Sequence, residues 1–292
     1  MCDEKTERDN QAWLNQQRSL SRRNFNTLAA GAGAAMMLPL PANAKDVSES
    51  DILVPTPDGE ADCYFAHPTK GNHAAVTIWP DVMGIRPSFR QMGKRLAQSG
   101  YSILVVNPYY RSVKGQVLNE GESYSDPAVR ERLAPLRGSL SKETIATDGR
   151  AFVEFLDGHK SVDASRKQGV TGYCMTGSFA MRIAAELPER IGAVGSFHGG
   201  GLATDSEDSP HLLIPKMKAS TLIAIAENDD ERDPDAKVKL REAYDAAGLP
   251  AEIEVYEGAM HGWCPPDSRV YNEAQAERAW ARLLVLLETA LA

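Results

Sequence analysis

The chemistry that this chain suggests begins at a cysteine in a predicted turn. Residues 170–181 have the pattern of a strand, a sharp turn and a helix, with the sequence VTGYCMTGSFAM. Cys174 occupies the nucleophile position of a nucleophile elbow, which needs small residues two positions to either side. Gly172 provides the first, whereas Thr176 stands where a second glycine is usual and Gly177 follows it. We predict that Cys174 is a nucleophile whose thiolate is favoured by a helix N-terminus, with a buried structural cysteine as the alternative.

An acid and a histidine follow in the order that this chemistry requires. The apolar run 221–226 leads into Asp229 and Asp230, and the run 252–256 leads to His261. A nucleophile, an acid and a histidine in this chain order can meet at one edge of a parallel sheet. His261 would accept the thiol proton and Asp229 would orient its ring, with Asp230 as the second candidate. The loop holds further acids, so a solvated surface charge is the alternative for each.

The elements that must position these residues alternate along the chain. Short apolar and β-branched runs predict strands, and apolar residues at helical spacing predict helices. Strands are predicted at 52–54, 61–66, 74–79, 101–106, 169–173, 191–197, 221–226 and 252–256. Helices are predicted at 87–99, 146–156, 178–187, 235–247 and 273–291. This alternation predicts a single α/β domain over residues 45–292, with the α/β-hydrolase fold: a mostly parallel central sheet and helices on both faces.

One segment departs from the alternation. Residues 112–142 are rich in Pro, Gly and charged side chains, and they form a connection longer than most. We predict a cap or lid near the reactive residues.

The motifs around Cys174 and His261 resemble those of the dienelactone hydrolase family, a cysteine-nucleophile branch of the α/β-hydrolases. Residues 172–174 (GYC) resemble the nucleophile motif, and residues 259–263 (AMHGW) resemble the histidine motif. The resemblance extends from about residue 51 to the C-terminus. It implies a carboxylic-ester hydrolase of the carboxymethylenebutenolidase type, which cleaves a small ester or lactone through a Cys-His-Asp triad and an acyl-enzyme. It implies neither a cofactor nor a metal.

The resemblance also implies an oxyanion hole. Residues 79–85 (WPDVMGI) are similar to the segment that follows an early strand in the family. By position, Val82 and Met175 would provide the two backbone N–H groups. Asp81 would take the acidic place beside the nucleophile, where many relatives have the longer Glu.

Two further residues are candidates for substrate binding. Residues 107–111 (NPYYR) resemble the family's loop after the following strand, where Arg111 would bind a substrate carboxylate by bidentate pairing. A surface salt bridge is the alternative for Arg111. Trp263 belongs to the histidine motif and is the second candidate.

The first 44 residues have the pattern of an export signal. Residues 21–25 (SRRNF) resemble a twin-arginine core, an uncharged stretch at 26–40 follows, and residues 41–44 (PANA) form an A-x-A cleavage pattern. The stretch is too short and too rich in glycine for a spanning helix, so we expect no stable membrane anchor. We predict a signal peptide that is recognised by the twin-arginine export machinery and cleaved after Ala44, which places the protein in the periplasm. An amphipathic helix of the folded domain is the alternative.

The composition excludes other classes of function. The chain of 292 residues has 32 basic and 40 acidic residues and a formal net charge of −8, so it offers no basic face for nucleic acid. Its four cysteines have no C-x-x-C spacing, which argues against a zinc or thiol-redox site. The sequence leaves open whether Cys174 forms a disulfide with Cys63 or Cys264. A non-catalytic binding protein with the same fold is the alternative to an enzyme, and a monomer is the simplest default.

Overall fold

A computed structural model describes residues 4–23, 38–119 and 121–292, with side chains left out of the description at 18–23. Most of the uncharged stretch predicted as part of an export signal therefore lies outside the described residues. The described strands are β1 Val47–Thr56, β2 Gly59–Pro68, β3 Ala75–Trp79, β4 Ser102–Val106, β5 Gln168–Tyr173, β6 Ile191–Phe197, β7 Ser220–Ala226 and β8 Ala251–Tyr256. The described helices are α1 Glu4–Arg23, α2 Pro87–Gln98, α3 Pro127–Gly138, α4 Lys142–Asp157, α5 Gly177–Glu186, α6 Glu227–Arg232, α7 Ala236–Ala247 and α8 Glu273–Ala290.

The strands form one mixed sheet in the order β1-β2-β4-β3-β5-β6-β7-β8. β1 pairs with β2 and β2 pairs with β4 in antiparallel fashion, and every later pairing is parallel. The predicted mostly parallel α/β-hydrolase sheet is thus confirmed. β1 and β2 are longer than predicted because they pair along their whole length around the turn at Pro57-Asp58.

Hydrophobic cores cover both faces of the sheet. Along β3, Val76 and Ile78 belong to a core that includes apolar residues of α2 and α8, and Ala75 and Trp79 belong to a core with α4, α5 and α7. This alternation follows from the two-residue period of a strand. Because both faces are covered, β3, β4, β5 and β6 are buried along their whole length.

The segment 112–142 contains the helix α3, which the sequence analysis did not predict. The Asp126 side chain accepts a hydrogen bond from the Ala128 N–H and caps the helix, and Pro127 lies in its first turn. Val129 and Leu133 pack into a small third core together with Val82, Tyr109 and Cys174. The segment thus covers the carboxyl edge of the sheet, near the reactive residues, as predicted.

Candidate active site

Cys174 lies on a strained turn between β5 and α5. Its φ angle is +58°, in the left-handed region that a residue with a side chain rarely adopts. A Cβ placed on Gly172 would lie 2.0 Å from the Thr176 carbonyl oxygen. The turn therefore requires glycine at position 172, as the elbow pattern predicts.

The structure explains why threonine is tolerated at position 176. The Thr176 hydroxyl donates a hydrogen bond to the Trp79 carbonyl oxygen at 2.7 Å and accepts one from the Tyr173 N–H at 2.8 Å. The close approach falls one residue later, because a Cβ on Gly177 would lie 2.4 Å from Ser196 Oγ. Thr176 thus ties the elbow to the neighbouring strand β3, and Gly177 provides the small residue.

The side chains of Cys174, His261 and Asp229 come together at the carboxyl edge of the sheet. Asp229 Oδ2 lies 2.6 Å from His261 Nδ1, and a side-chain hydrogen bond joins His261 to Cys174. Asp230 turns away and binds the ammonium group of Lys237 at 2.6 Å. Of the two candidate acids, Asp229 is the one in contact with the histidine.

The electrostatics of this group favour a charged imidazole. Burial by itself lowers the pKa of His261, but the negative charges of Asp229 and Cys174 and the hydrogen bonds to both raise it to about 10. His261 therefore keeps its proton at neutral pH.

Asn228 fixes the backbone of His261. Its side-chain Oδ1 accepts a hydrogen bond from the His261 N–H at 2.8 Å, and the residue is buried. Sequence reasoning did not single out Asn228, although its place beside the acid was a signal that could have found it.

Asp81 is buried beside the cysteine and held by an arginine. Arg86 forms a bidentate pair with Asp81 at 2.8 and 2.9 Å and also binds Asp267 at 2.7 Å. Burial alone would lower the pKa of Arg86, but the two carboxylates raise it, so the guanidinium keeps its charge. Neither Arg86 nor Asp267 was predicted, because no local pattern indicates an ion pair 181 residues apart in the chain.

A cavity of about 230 Å³ opens onto Cys174 and His261. Its walls come from the loops after β3 and β8 and from the segment 112–142, which contributes Leu118, Tyr124 and neighbouring residues. Helix α1 forms a further wall through Glu7, Asn10 and Leu14. The cavity suits a small molecule rather than a polymer.

Comparison with known proteins identifies the family. The model of the dienelactone hydrolase family matches residues 61–291. The chain belongs to the dienelactone hydrolase family. A protein from Salmonella typhi named for carboxymethylenebutenolidase activity is 26% identical over 267 residues, which cover 88% of this chain and 92% of the relative. A relative of the same name from Methylorubrum extorquens is 24% identical over 280 residues and covers 91% of this chain and 92% of its own length.

Solved structures agree on the fold. A crystal structure named for dienelactone hydrolase, from Klebsiella pneumoniae, superposes with a TM-score of 0.72 at 23% identity and covers 84% of this chain and 99% of its own. The chain is thus a carboxylic-ester hydrolase of the dienelactone hydrolase type with an α/β-hydrolase fold.

Val82 and Met175, the predicted oxyanion-hole residues, lie in a different environment from Trp263, a predicted substrate-binding residue. Val82 and Met175 pack together with Cys174, and the Val82 carbonyl accepts a hydrogen bond from the Tyr109 hydroxyl at 2.9 Å. Trp263 is fully buried, stacks on Tyr256, and lies behind the cavity wall rather than in it.

The structure places Arg111 away from the cavity. Its guanidinium forms a bidentate pair with the buried Asp148 at 2.7 and 2.8 Å and binds Asp58 at 2.6 Å. The Tyr110 ring packs against it at 4.6 Å. The structure therefore shows a salt bridge, the alternative for Arg111, and Arg111 is not among the residues that line the cavity.

His198 is an unassigned residue next to the histidine. Its ring lies 5.0 Å from that of His261 and lines the cavity, and neither of its ring nitrogens has a hydrogen-bond partner among the described residues. Burial lowers the pKa of His198 well below its usual range, and the charge of His261 adds to this effect. His198 is therefore an uncharged side chain in the wall of the cavity.

All three cysteines that the structure describes are buried. Cys63, Cys174 and Cys264 form no disulfide, and burial raises the pKa of the Cys63 and Cys264 thiols. Within residues 4–23, 38–119 and 121–292, no group of three His, Cys, Asp or Glu side chains is placed to hold a metal ion. None of the helices in that part of the chain has the length and apolar character needed to cross a bilayer.

Proposed function

We propose that this hydrolase cleaves a small ester or lactone through a Cys174–His261–Asp229 triad and an acyl-enzyme. The observation that carries the proposal is the 2.6 Å contact between Asp229 and His261, together with the hydrogen bond from His261 to Cys174 on a strained elbow. The relatives named for carboxymethylenebutenolidase activity support the same type of bond, because that name denotes a lactone.

In the first half-reaction, Cys174 Sγ attacks the substrate carbonyl carbon and the carbonyl π electrons move to oxygen. The tetrahedral intermediate collapses, the ester C–O bond breaks, and the leaving oxygen takes the proton from His261. In the second half-reaction, His261 accepts a proton from water, and the water oxygen attacks the thioester. The tetrahedral intermediate collapses, the C–S bond breaks and the carboxylic acid leaves. The departing Cys174 thiolate and the protonated His261 then restore the imidazolium–thiolate pair.

We propose the backbone N–H groups of Val82 and Met175 as the oxyanion hole. Val82 and Met175 belong to the same cluster of buried residues as Cys174, and the N–H of Val82 donates to no backbone carbonyl among the described residues. Such donors act where charge develops on the carbonyl oxygen, and each typically contributes about 10²–10³-fold in rate.

Hydrolysis of 4-nitrophenyl acetate by the wild type, Cys174→Ala and Cys63→Ala tests the proposal. We expect Cys174→Ala to lose at least about 10³-fold in kcat, while Cys63→Ala, which alters a buried thiol outside the site, keeps it. Rapid quenching and mass analysis should find an acetyl group on Cys174. Undiminished activity of Cys174→Ala contradicts the triad. Acylation without release would instead fit the non-catalytic binding protein.

Export of the chain is a further part of the proposed function. The residues before the proposed cleavage point, 42–44, are exposed, and three buried cysteines that form no disulfide suit a protein that folds before it meets an oxidising compartment. Expression in a Gram-negative host should give a periplasmic product that begins at Lys45. The paired change Arg22→Lys and Arg23→Lys should leave the full chain in the cytoplasm. A periplasmic product from that variant would contradict twin-arginine export.

A further inference from the structure

Helix α1 is fastened to the catalytic loops by polar contacts on one face. Arg232 donates hydrogen bonds to Asp9 at 2.7 Å and to Thr6 at 3.0 Å. The Asn10 side chain donates to the His261 carbonyl oxygen at 3.1 Å, and both Thr6 and Asn10 are buried. The helix therefore touches the backbone of the candidate catalytic histidine directly.

The contacts of α1 with the rest of the chain explain why this polar segment is helical. An isolated helix of about 20 residues with few apolar side chains is marginal in water. The contacts of α1 with Arg232, His261 and Arg269 stabilise it in the full chain.

The charged side chains that line the cavity differ in whether they form an ion pair. Arg86 neutralises Asp81 and Asp267, and Arg132 binds Glu122. Glu7 lines the same cavity, and no ion pair joins it to any residue that the structure describes. Among the described lining residues, Glu7 is thus a carboxylate without an ion pair, and Arg269, which binds the Gln11 side chain, is a cation without one.

Glu7 also lies in the electrostatic field of the reactive pair. Burial raises the pKa of Glu7, the charges of Arg269, Arg130 and His261 lower it, and that of Cys174 raises it. Glu7, Cys174 and His261 thus line one cavity, and the charges of the reactive pair affect the pKa of Glu7.

We propose that α1 forms a selective wall of the active-site cavity and that Glu7 favours uncharged esters over carboxylate-bearing ones. This inference rests on the proposed function, because it concerns which compounds reach Cys174. It agrees with the placement of Arg111, whose donors are engaged by Asp148 and Asp58 rather than by the cavity. The selectivity therefore belongs to the uncleaved chain, because the proposed cleavage after Ala44 removes α1 and this wall with it.

The test compares alkylation of Cys174 by iodoacetamide, which is neutral, and iodoacetate, which is anionic. Both reactions use the full chain at low ionic strength and pH 8, and peptide mass analysis identifies the labelled thiol. We expect the rate ratio of iodoacetamide to iodoacetate to fall about 3- to 10-fold in Glu7→Gln, because repulsion of the anion is removed. Glu4→Gln is the matched control, since Glu4 is exposed on the same helix.

Equal ratios in the wild type and Glu7→Gln would overturn the selective wall, while labelling of Cys174 would still support the nucleophile. A ratio that changes equally in Glu4→Gln would also overturn it, because the effect would then be one of net charge.

Hydrogen exchange measures docking without any reaction at Cys174. Amides at 8–15, which lie beyond the first turn of α1, should exchange slowly in the wild type and at least about tenfold faster in Arg232→Ala, which leaves the sequence of α1 intact. Fast exchange in the wild type overturns the proposal. If Cys174 reacts with neither reagent, the proposed nucleophile fails, and the exchange result alone decides whether α1 is part of the cavity wall.

Discussion

His261 has a fixed orientation because two neighbouring residues hold it from different sides. Asn228 binds its backbone N–H, and Asp229 binds Nδ1, which leaves Nε2 for Cys174. The adjacent Asp230 carries the same functional group but binds Lys237 on the other side of the loop. Side-chain direction, rather than residue type, separates the two acids.

This difference predicts unequal effects of the same substitution. Asp229→Asn should lower kcat for 4-nitrophenyl acetate by about 10³–10⁴-fold, because the wrong imidazole tautomer becomes favoured. Asp230→Asn, the matched control, should change kcat by less than about threefold, since it loses only a partly exposed ion pair. Similar losses in both variants would contradict the assignment of Asp229.

The raised pKa of His261 predicts how stability changes with pH. The unfolded histidine releases its proton near its ordinary pKa of 6.5, whereas the folded one holds it to about 10. This contribution is fully present below pH 6.5 and is lost as the pH rises towards 10. Urea unfolding should therefore show the wild type losing more stability than His261→Gln between pH 6.5 and 10. Parallel pH profiles of the two proteins would refute the raised pKa.

The strand–turn–helix unit of β5 and α5 shows how an element limits its own sequence. The positive φ of Cys174 brings the Thr176 carbonyl within 2.0 Å of where a Cβ on Gly172 would lie. The chain accepts threonine at 176 but not a larger residue at 172 or 177, because those two positions face backbone or a buried hydroxyl.

Alanine at Gly172 should therefore destabilise the protein. We expect a loss of at least about 2 kcal/mol in the free energy of unfolding, measured by urea denaturation, because the elbow has to shift. Gly138→Ala is the control: nothing lies within 4 Å of its Cβ, so we expect a change of about 1 kcal/mol or less. Equal stability of the two variants would be inconsistent with the elbow geometry.

Across the whole molecule, Arg86 joins segments that are distant in the chain. It links Asp81 after β3 to Asp267 in the loop after β8, so one guanidinium ties together two walls of the cavity. Asp81 and Arg86 are both buried, and a buried ion pair is costly to break because one charge remains uncompensated.

Arg86→Met should accordingly lower the free energy of unfolding by about 3–5 kcal/mol. Arg90→Met, in the helix that Arg86 precedes, is the control, because its partner Asp51 is exposed and such pairs are worth about 1 kcal/mol or less. Thermal unfolding of both variants measures the difference. Adding Asp81→Asn to Arg86→Met should recover part of the loss, since it removes the stranded carboxylate; no recovery would argue against the buried pair.

The sequence by itself determined the order of the eight strands and of helices α2, α4, α5, α7 and α8. It also determined the requirement for glycine at the elbow and the chain order of cysteine, acid and histidine. These features depend on local spacing, because periodicity and turn geometry involve residues within a few positions of one another. Only the tertiary structure decided that Asp229 faces His261, that Arg111 binds Asp148, and that α1 lies over the cavity. Each of these depends on where a side chain points after distant segments pack, as in the contact between Asn10 and His261 across 251 positions.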